Sequence, residues 1–217
     1  MLKVGLTGGI ASGKSVVGEM FVALGGCLLQ ADQLAHELMR PGEPVYLEVV
    51  RHFGREILNA DGSVNRARLA ELAFGSSSIP GDKRASRVEE LNRIVHPAVI
   101  GKQEEWMWAV GLRDEHAVAI VEAALILEAG VGKRFDRLVV VTCSPEQRAA
   151  RFATRHGIDL DSAKKEVQRR MAAQLPDAEK IKAADYVIDN SGSLDDTRAQ
   201  VGEVWDKLYS EACSARQ

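Results

Sequence analysis

A three-layer α/β fold, with helices on both faces of a parallel five-stranded sheet, is what this 217-residue sequence predicts. Three observations predict it. Short β-rich runs recur along the chain, and Leu138-Val139-Val140-Val141 is continuously apolar, as suits a strand covered on both faces. Helical periodicity separates these runs. The first run leads into Gly8-Gly9-Ile10-Ala11-Ser12-Gly13-Lys14-Ser15 and then a helical stretch. That is the strand–loop–helix setting of a G-x-x-x-x-G-K-[ST] phosphate loop.

The first strand is read over Lys3 to Thr7. In the loop after it, glycines let successive backbone N–H groups turn inward on an anion, and the helix from Val16 to Leu24 aims its positive end at the same point. Lys14 then reaches the terminal phosphates of a nucleotide, and the Ser15 hydroxyl suits Mg²⁺. Cys27 to Gln30 reads as a weaker strand, followed by Ala31-Asp32. At a strand's carboxyl end, Asp32 suits a group that orients or accepts the proton of an attacking hydroxyl. Asp is also a favoured N-cap for the helix from Gln33 to Met39, and the two roles are compatible.

From there to Ala117 the pattern is helical: Leu34–Met39, Val45–Phe53, Arg66–Phe74, Lys83–Val95 and Pro97–Val110. Ser76 to Gly81 gathers turn residues and reads as a loop. So much helix between neighbouring strands predicts an insertion, about residues 32–114, over the end of the sheet where ligands bind, walling a second-substrate site. Pro97 marks a helix start and biases His96 to extended geometry, so His96 is a structural residue or a substrate contact.

The next strand, Ala117 to Val121, is followed by Glu122, a carboxylate either near the metal or solvated at the sheet edge. Arg137 to Thr142 is the fourth strand and Tyr186 to Ile188 the last. Between them, Pro145 to Lys182 carries nine basic residues. This segment is either a solvated helical face or, from about 148 to 182, a cationic lid closing over phosphates. Arg151 and Arg155, one helical turn apart, and Arg170 are its candidate phosphate contacts. The core is then about 1–31, 115–147 and 183–217.

Composition narrows the class. The chain is 46% hydrophobic and 27% charged, ordinary for a globular enzyme, and its net charge of −3 argues against a nucleic-acid surface. No run is long enough to span a bilayer, and Met1 leads into the first strand without a signal pattern, so no membrane association and a cytoplasmic location are expected. Cys27, Cys143 and Cys213 have neither zinc nor disulfide spacing, and the first two read as small core residues. Trp106, Trp108 and Trp205 read as helix-packing residues. No Asn-Lys-x-Asp segment is present to read guanine, and no protein partner is indicated.

Several segments in order are more specific: Thr7-Gly8-Gly9-Ile10, Ala31-Asp32, Pro41-Gly42, Phe53-Gly54, Asp61-Gly62, Leu91-Asn92-Arg93-Ile94-Val95-His96-Pro97, Arg170 with Gln174, and Asp185-Tyr186-Val187-Ile188-Asp189-Asn190-Ser191-Gly192. With them the chain resembles the dephospho-coenzyme A kinase family of P-loop kinases, from Leu2 to about Leu208. The resemblance implies transfer of the ATP γ-phosphoryl group to the ribose 3′-hydroxyl of dephospho-coenzyme A, with Mg²⁺, by a P-loop core, a helical substrate subdomain and a lid. It implies catalytic roles for Asp32, Lys14 and Arg151. It implies nucleotide binding by Gly9, Ile10, Ala11, Ser12, Gly13, Lys14, Ser15, Val16, Arg155 and Asn190, acceptor binding by Asp32, His96 and Glu122, and a metal at Ser15.

The chain also departs from the family. Ala11 stands where glycine is frequent, and Val16 where threonine is. Glu122-Ala123-Ala124-Leu125-Ile126-Leu127-Glu128 replaces an Asp-x-Pro-Leu-Leu-Phe-Glu stretch, and Arg148 replaces a frequent glutamine.

Overall fold

The computed structural model describes residues 1–74 and 87–214. In chain order the strands are β1 (Leu2–Gly8), β2 (Cys27–Gln30), β3 (Val118–Glu122), β4 (Arg137–Thr142) and β5 (Tyr186–Asp189). They form one sheet in the order β2-β3-β1-β4-β5, and every pairing is parallel. The helices are α1 (Lys14–Ala23), α2 (Ala31–Leu38), α3 (Pro44–Phe53), α4 (Arg66–Phe74), α5 (Val88–Arg113), α6 (Pro145–His156), α7 (Leu160–Ala172), α8 (Asp177–Ala183) and α9 (Leu194–Ser214). All five predicted strands are present, and the fold is the expected three-layer α/β type.

Alternation along the strands builds the core. Val4 and Leu6 of β1, Ile120 of β3, Val139 and Val141 of β4 and Ile188 of β5 join Val17 and Phe21 of α1 in one buried cluster. Val201, Val204, Leu208 and Ala212 of α9 complete it at helical spacing. On the opposite face of β1, Gly5 has no room for a side chain: a Cβ there would lie 2.9 Å from Phe135 Cδ2 and 3.0 Å from Leu138 Cδ1. Register brings the carboxyl ends level. Gln30 pairs with Glu122, Leu6 with Glu122, Gly8 with Val141 and Thr142 with Asp189. Whatever follows each strand therefore emerges on the same edge of the sheet.

The chain divides into two units, Met1–Gln30 with Trp106–Gln217, which holds the sheet, and Ala31–Glu105. In the second unit the stripe Val45, Val49 and Phe53 of α3 is buried, as are Ile57 and Leu69. There the Tyr46 hydroxyl donates to Gly62 O at 2.7 Å, and the Arg87 guanidinium lies 4.3 Å from the Phe53 ring centroid.

Three local expectations are corrected. The helix predicted to break at His96-Pro97 is continuous: α5 runs through Pro97. A proline removes only its own donor to the preceding turn, and buried positions continue at helical spacing on both sides, Val95 and Val99, then Met107 and Val110. Asp32 is not an N-cap, because α2 starts at Ala31 directly after β2 and Asp32 lies in its first turn, where a carboxylate favours the helix dipole. Trp108 is 68% exposed rather than packed, whereas Trp205 does pack, 6.4 Å from the Phe21 ring. The loop read at Ser76 to Gly81, and the start of the Lys83–Val95 helix, lie outside the described residues.

Candidate active site

The loop between β1 and α1 curls as its glycines allow. Gly13 has φ +93° and Ala11 has φ 53°, both in the left-handed region. Gly8 and Gly13 also admit no Cβ, which would collide with Val141 O at the first and with Asn190 Nδ2 at the second. Ser12 N donates to Gly9 O at 3.3 Å, and the buried Ser12 Oγ has no hydrogen-bond partner among the described residues. The helix that follows has no acidic residue in its first turn. Its positive end is left to whatever anion the loop holds.

Lys14 folds back over the loop, donating to Gly8 O at 3.1 Å and Gly9 O at 3.3 Å. Beside it, Ser15 Oγ donates to Glu122 Oε1 at 2.8 Å, and Gln30 Nε2 donates to Glu122 Oε2 at 3.1 Å. Glu122 is 8% exposed, so its carboxylate is buried and both of its oxygens are engaged. The β2–β3 register explains the array, because Gln30 and Glu122 are the last of four paired positions and stand side by side at the ends of adjacent strands. A hydroxyl beside a carboxylate is a hard-oxygen donor set and fits Mg²⁺. No group of three or more acidic, histidine or cysteine side chains stands together among the described residues. An ion here would take its remaining ligands from phosphate oxygens and water.

The other flank is braced by β4, β5 and α6. Asn190 is buried, and its side chain donates to Ser12 O at 2.8 Å and accepts from Thr197 Oγ1 at 3.0 Å. Arg151 donates to Ser12 O at 3.3 Å and to Asn190 O at 3.0 Å. Arg148, fully buried, donates from Nε to Cys143 O at 2.9 Å and from Nη2 to Asp177 Oδ2 at 2.5 Å, and Nη1 reaches Ile10 O at 3.5 Å. Ile10 and Ala11 pack against Phe152, Ala163 and Val167 of α6 and α7. Cys143 sits under this network; burial pushes its thiol pKa up, and the nearby Arg151 and Arg148 charges oppose that only in part.

Thus Gly9, Ile10, Ala11, Ser12, Gly13, Lys14, Ser15, Glu122, Arg151 and Asn190 share the first unit and one edge of its sheet. Val16 is 45% exposed on α1. Arg155 is exposed in the last turn of α6. Arg170 is on α7, donating to Glu166 at 2.6 Å, and together with Arg169 it lowers the Glu166 carboxyl pKa to about 2. Asp32 and His96 belong to the second unit, both exposed, the first in α2 and the second in α5.

Four participants had no assignment in the sequence: Gln30, Arg148, Asp177 and Thr197. One signal existed, since Arg148 and Arg151 are three apart and share a face of α6. Gln30 and Thr197 are visible only through strand register and the turn after β5.

A family model described as dephospho-CoA kinase matches residues 2–196. The dephospho-CoA kinase of Aquifex aeolicus is 38% identical over 208 residues, covering 96% of this chain and 98% of that one. A crystal structure of a Thermus thermophilus protein superposes with a TM-score of 0.75 at 30% identity, over 95% of this chain and 97% of that one. The dephospho-CoA kinase of Campylobacter jejuni has the same fold, with a TM-score of 0.58 at 23% identity, over 95% of this chain and 96% of that one.

Proposed function

This chain belongs to the dephospho-CoA kinase family, and from that premise we propose how its own residues carry the family's reaction. The reaction moves the γ-phosphoryl group of ATP to the ribose 3′-hydroxyl of dephospho-coenzyme A and gives coenzyme A and ADP, the last step of coenzyme A biosynthesis. The observation that carries the reading is the array at the sheet edge: a curled loop with Lys14 folded over it, and Ser15 held by a Glu122 that Gln30 also grips.

Phosphoryl transfer asks mainly for position and charge. Backbone amides from Gly9 to Ser15 cradle the phosphate chain, and Lys14 exchanges its two loop carbonyls for β and γ oxygens. Ser15, with Glu122 behind it, would hold Mg²⁺, which when bound neutralises charge on the β and γ oxygens. Arg151 holds Ser12 in place and offers its charge to the transferring group, and Arg155 approaches from the lid. Asn190 acts on the nucleotide by fixing the Ser12 carbonyl. Asp32, two residues beyond Gln30, receives the proton of the 3′-hydroxyl as its oxygen bonds to the γ-phosphorus and the bond to the bridging β,γ oxygen breaks; ADP leaves. His96 contacts the acceptor.

An acceptor panel tests this: ADP release with dephospho-coenzyme A, adenosine monophosphate and simple nucleosides. Turnover with dephospho-coenzyme A alone is expected; turnover only with a nucleotide phosphate refutes the reading. K14A is expected to lower kcat by about a hundredfold or more with the melting temperature kept. D32N is expected to lower kcat by a similar factor while leaving ATP affinity nearly unchanged. A D32N variant that loses thermal stability but turns over normally would mean that Asp32 serves only the first turn of α2.

A further inference from the structure

We propose that Arg148 and Asp177 form a nucleotide-responsive ion pair, in which Asp177 holds a buried guanidinium in reserve and the polyphosphate in the loop competes for it. Arg148 is 0% exposed, and Asp177, the first residue of α8, is 31% exposed on its side chain. The guanidinium lies against the phosphate loop itself: Nη1 reaches Ile10 O at 3.5 Å, and a Cβ on Gly9 would collide with the same nitrogen. Its other terminal nitrogen, Nη2, donates to Asp177 Oδ2. The cation thus has a charged partner in Asp177 and, in the loop, only a neutral carbonyl at the limit of hydrogen-bond reach.

A buried cation needs a counter-charge, and Asp177 supplies it in the free protein. A polyphosphate in the loop brings a second, more highly charged anion beside the same group, where charges are poorly screened. The planar fork of arginine fits phosphate as well as carboxylate. Two anions competing for one cation are linked: whatever weakens the grip of Asp177 strengthens that of the polyphosphate, reciprocally.

The proposal rests on the loop being the ATP site, and the experiment separates the two. Binding of ATP, ADP and inorganic tripolyphosphate to the full chain is followed by thermal shift and by calorimetric titration, for wild type, R148Q, D177N and the double variant. A wild type that binds none of the three refutes the nucleotide reading itself. R148Q is expected to weaken ATP binding about tenfold, the loss of one charge-assisted bond. D177N is expected to lower the melting temperature of the ligand-free protein yet tighten binding by about the same factor. The double variant should bind like R148Q, since Asp177 then has nothing to restrain. A pair that only supports the fold would not move affinity in opposite directions. R148Q at wild-type affinity, or D177N binding no tighter than wild type, overturns the proposal. If D177N does not fold without ligand, R148Q against the double variant decides, and any difference in their affinities overturns it.

Discussion

Ala11 shows how a loop departure is tolerated. Its backbone is in the left-handed region, φ 53°, which costs an L-residue about 1–2 kcal/mol. Glycine would remove that strain but would add about 0.4–1 kcal/mol of unfolded-state entropy. It would also forfeit a methyl packed against the Phe152, Ala163 and Val167 cluster, worth about 0.8 kcal/mol. The terms nearly cancel. Ala11→Gly is therefore expected to change stability by less than about 1 kcal/mol by urea denaturation, whereas Ala11→Val puts a β-branched residue at positive φ and should cost at least about 2 kcal/mol. A valine variant as stable as the parent would mean that the loop does not need this conformation. The same residue marks what the sequence could show here. The motif spacing located the loop, and Lys14 and Ser15 with it, because local chain geometry dictates them. Arg148 and Asp177, 29 residues apart, meet only through the packing of α6 and α8.

At the scale of an element, α8 is seven residues long, too short to hold itself as a helix. Its anchor is Lys180, 0% exposed, with Nζ 2.8 Å from Glu128 Oε1. That contact is an ion pair more than a hydrogen bond, since among the described residues Nζ meets no acceptor in bonding directions and Glu128 Oε2 is buried without a donor. Glu128 Oε1 also accepts from Leu175 N at 3.1 Å, just ahead of the helix. Breaking such a pair costs more than replacing it. K180M, which strands Glu128, should destabilise the protein by about 3 kcal/mol, and the double variant K180M/E128M should recover most of that loss in urea denaturation. Additive losses would show that the two side chains do not act as a pair. In the sequence Lys180 was one of nine basic residues of a solvated face or a lid. Seven residues are too few for periodicity to mark one lysine as buried, and its partner lies in an irregular segment 52 positions upstream. Pro97 misled for the opposite reason: a strong local signal was outweighed by the helical burial on either side of it.

The whole molecule was most legible in its sheet, because strands buried on both faces have to be written as continuous apolar runs. Strand order was not legible, since it depends on crossovers rather than on any one run. That order has a consequence for stability. β1, β3 and β4 each pair on both sides, and Val4, Leu6, Ile120, Val139 and Val141 are fully buried. β2 and β5 each pair on one side; all four residues of β2 are partly exposed, and Val187 of β5 is 39% exposed. An edge strand leaves a row of backbone groups to solvent and opens before the centre does. Native-state hydrogen exchange is therefore expected to find the amides of β1, β3 and β4 exchanging only with global unfolding. Those of β2 and β5 should exchange earlier, with an opening free energy that hardly changes in low denaturant. The phosphate loop and Glu122 both issue from the slow group, and Gln30 and Asn190 from the fast one. If β2 and β5 exchange as slowly as β1, the site stands on a uniformly rigid edge; if they do not, the braces on Glu122 and Ser12 are the first parts of the site to loosen.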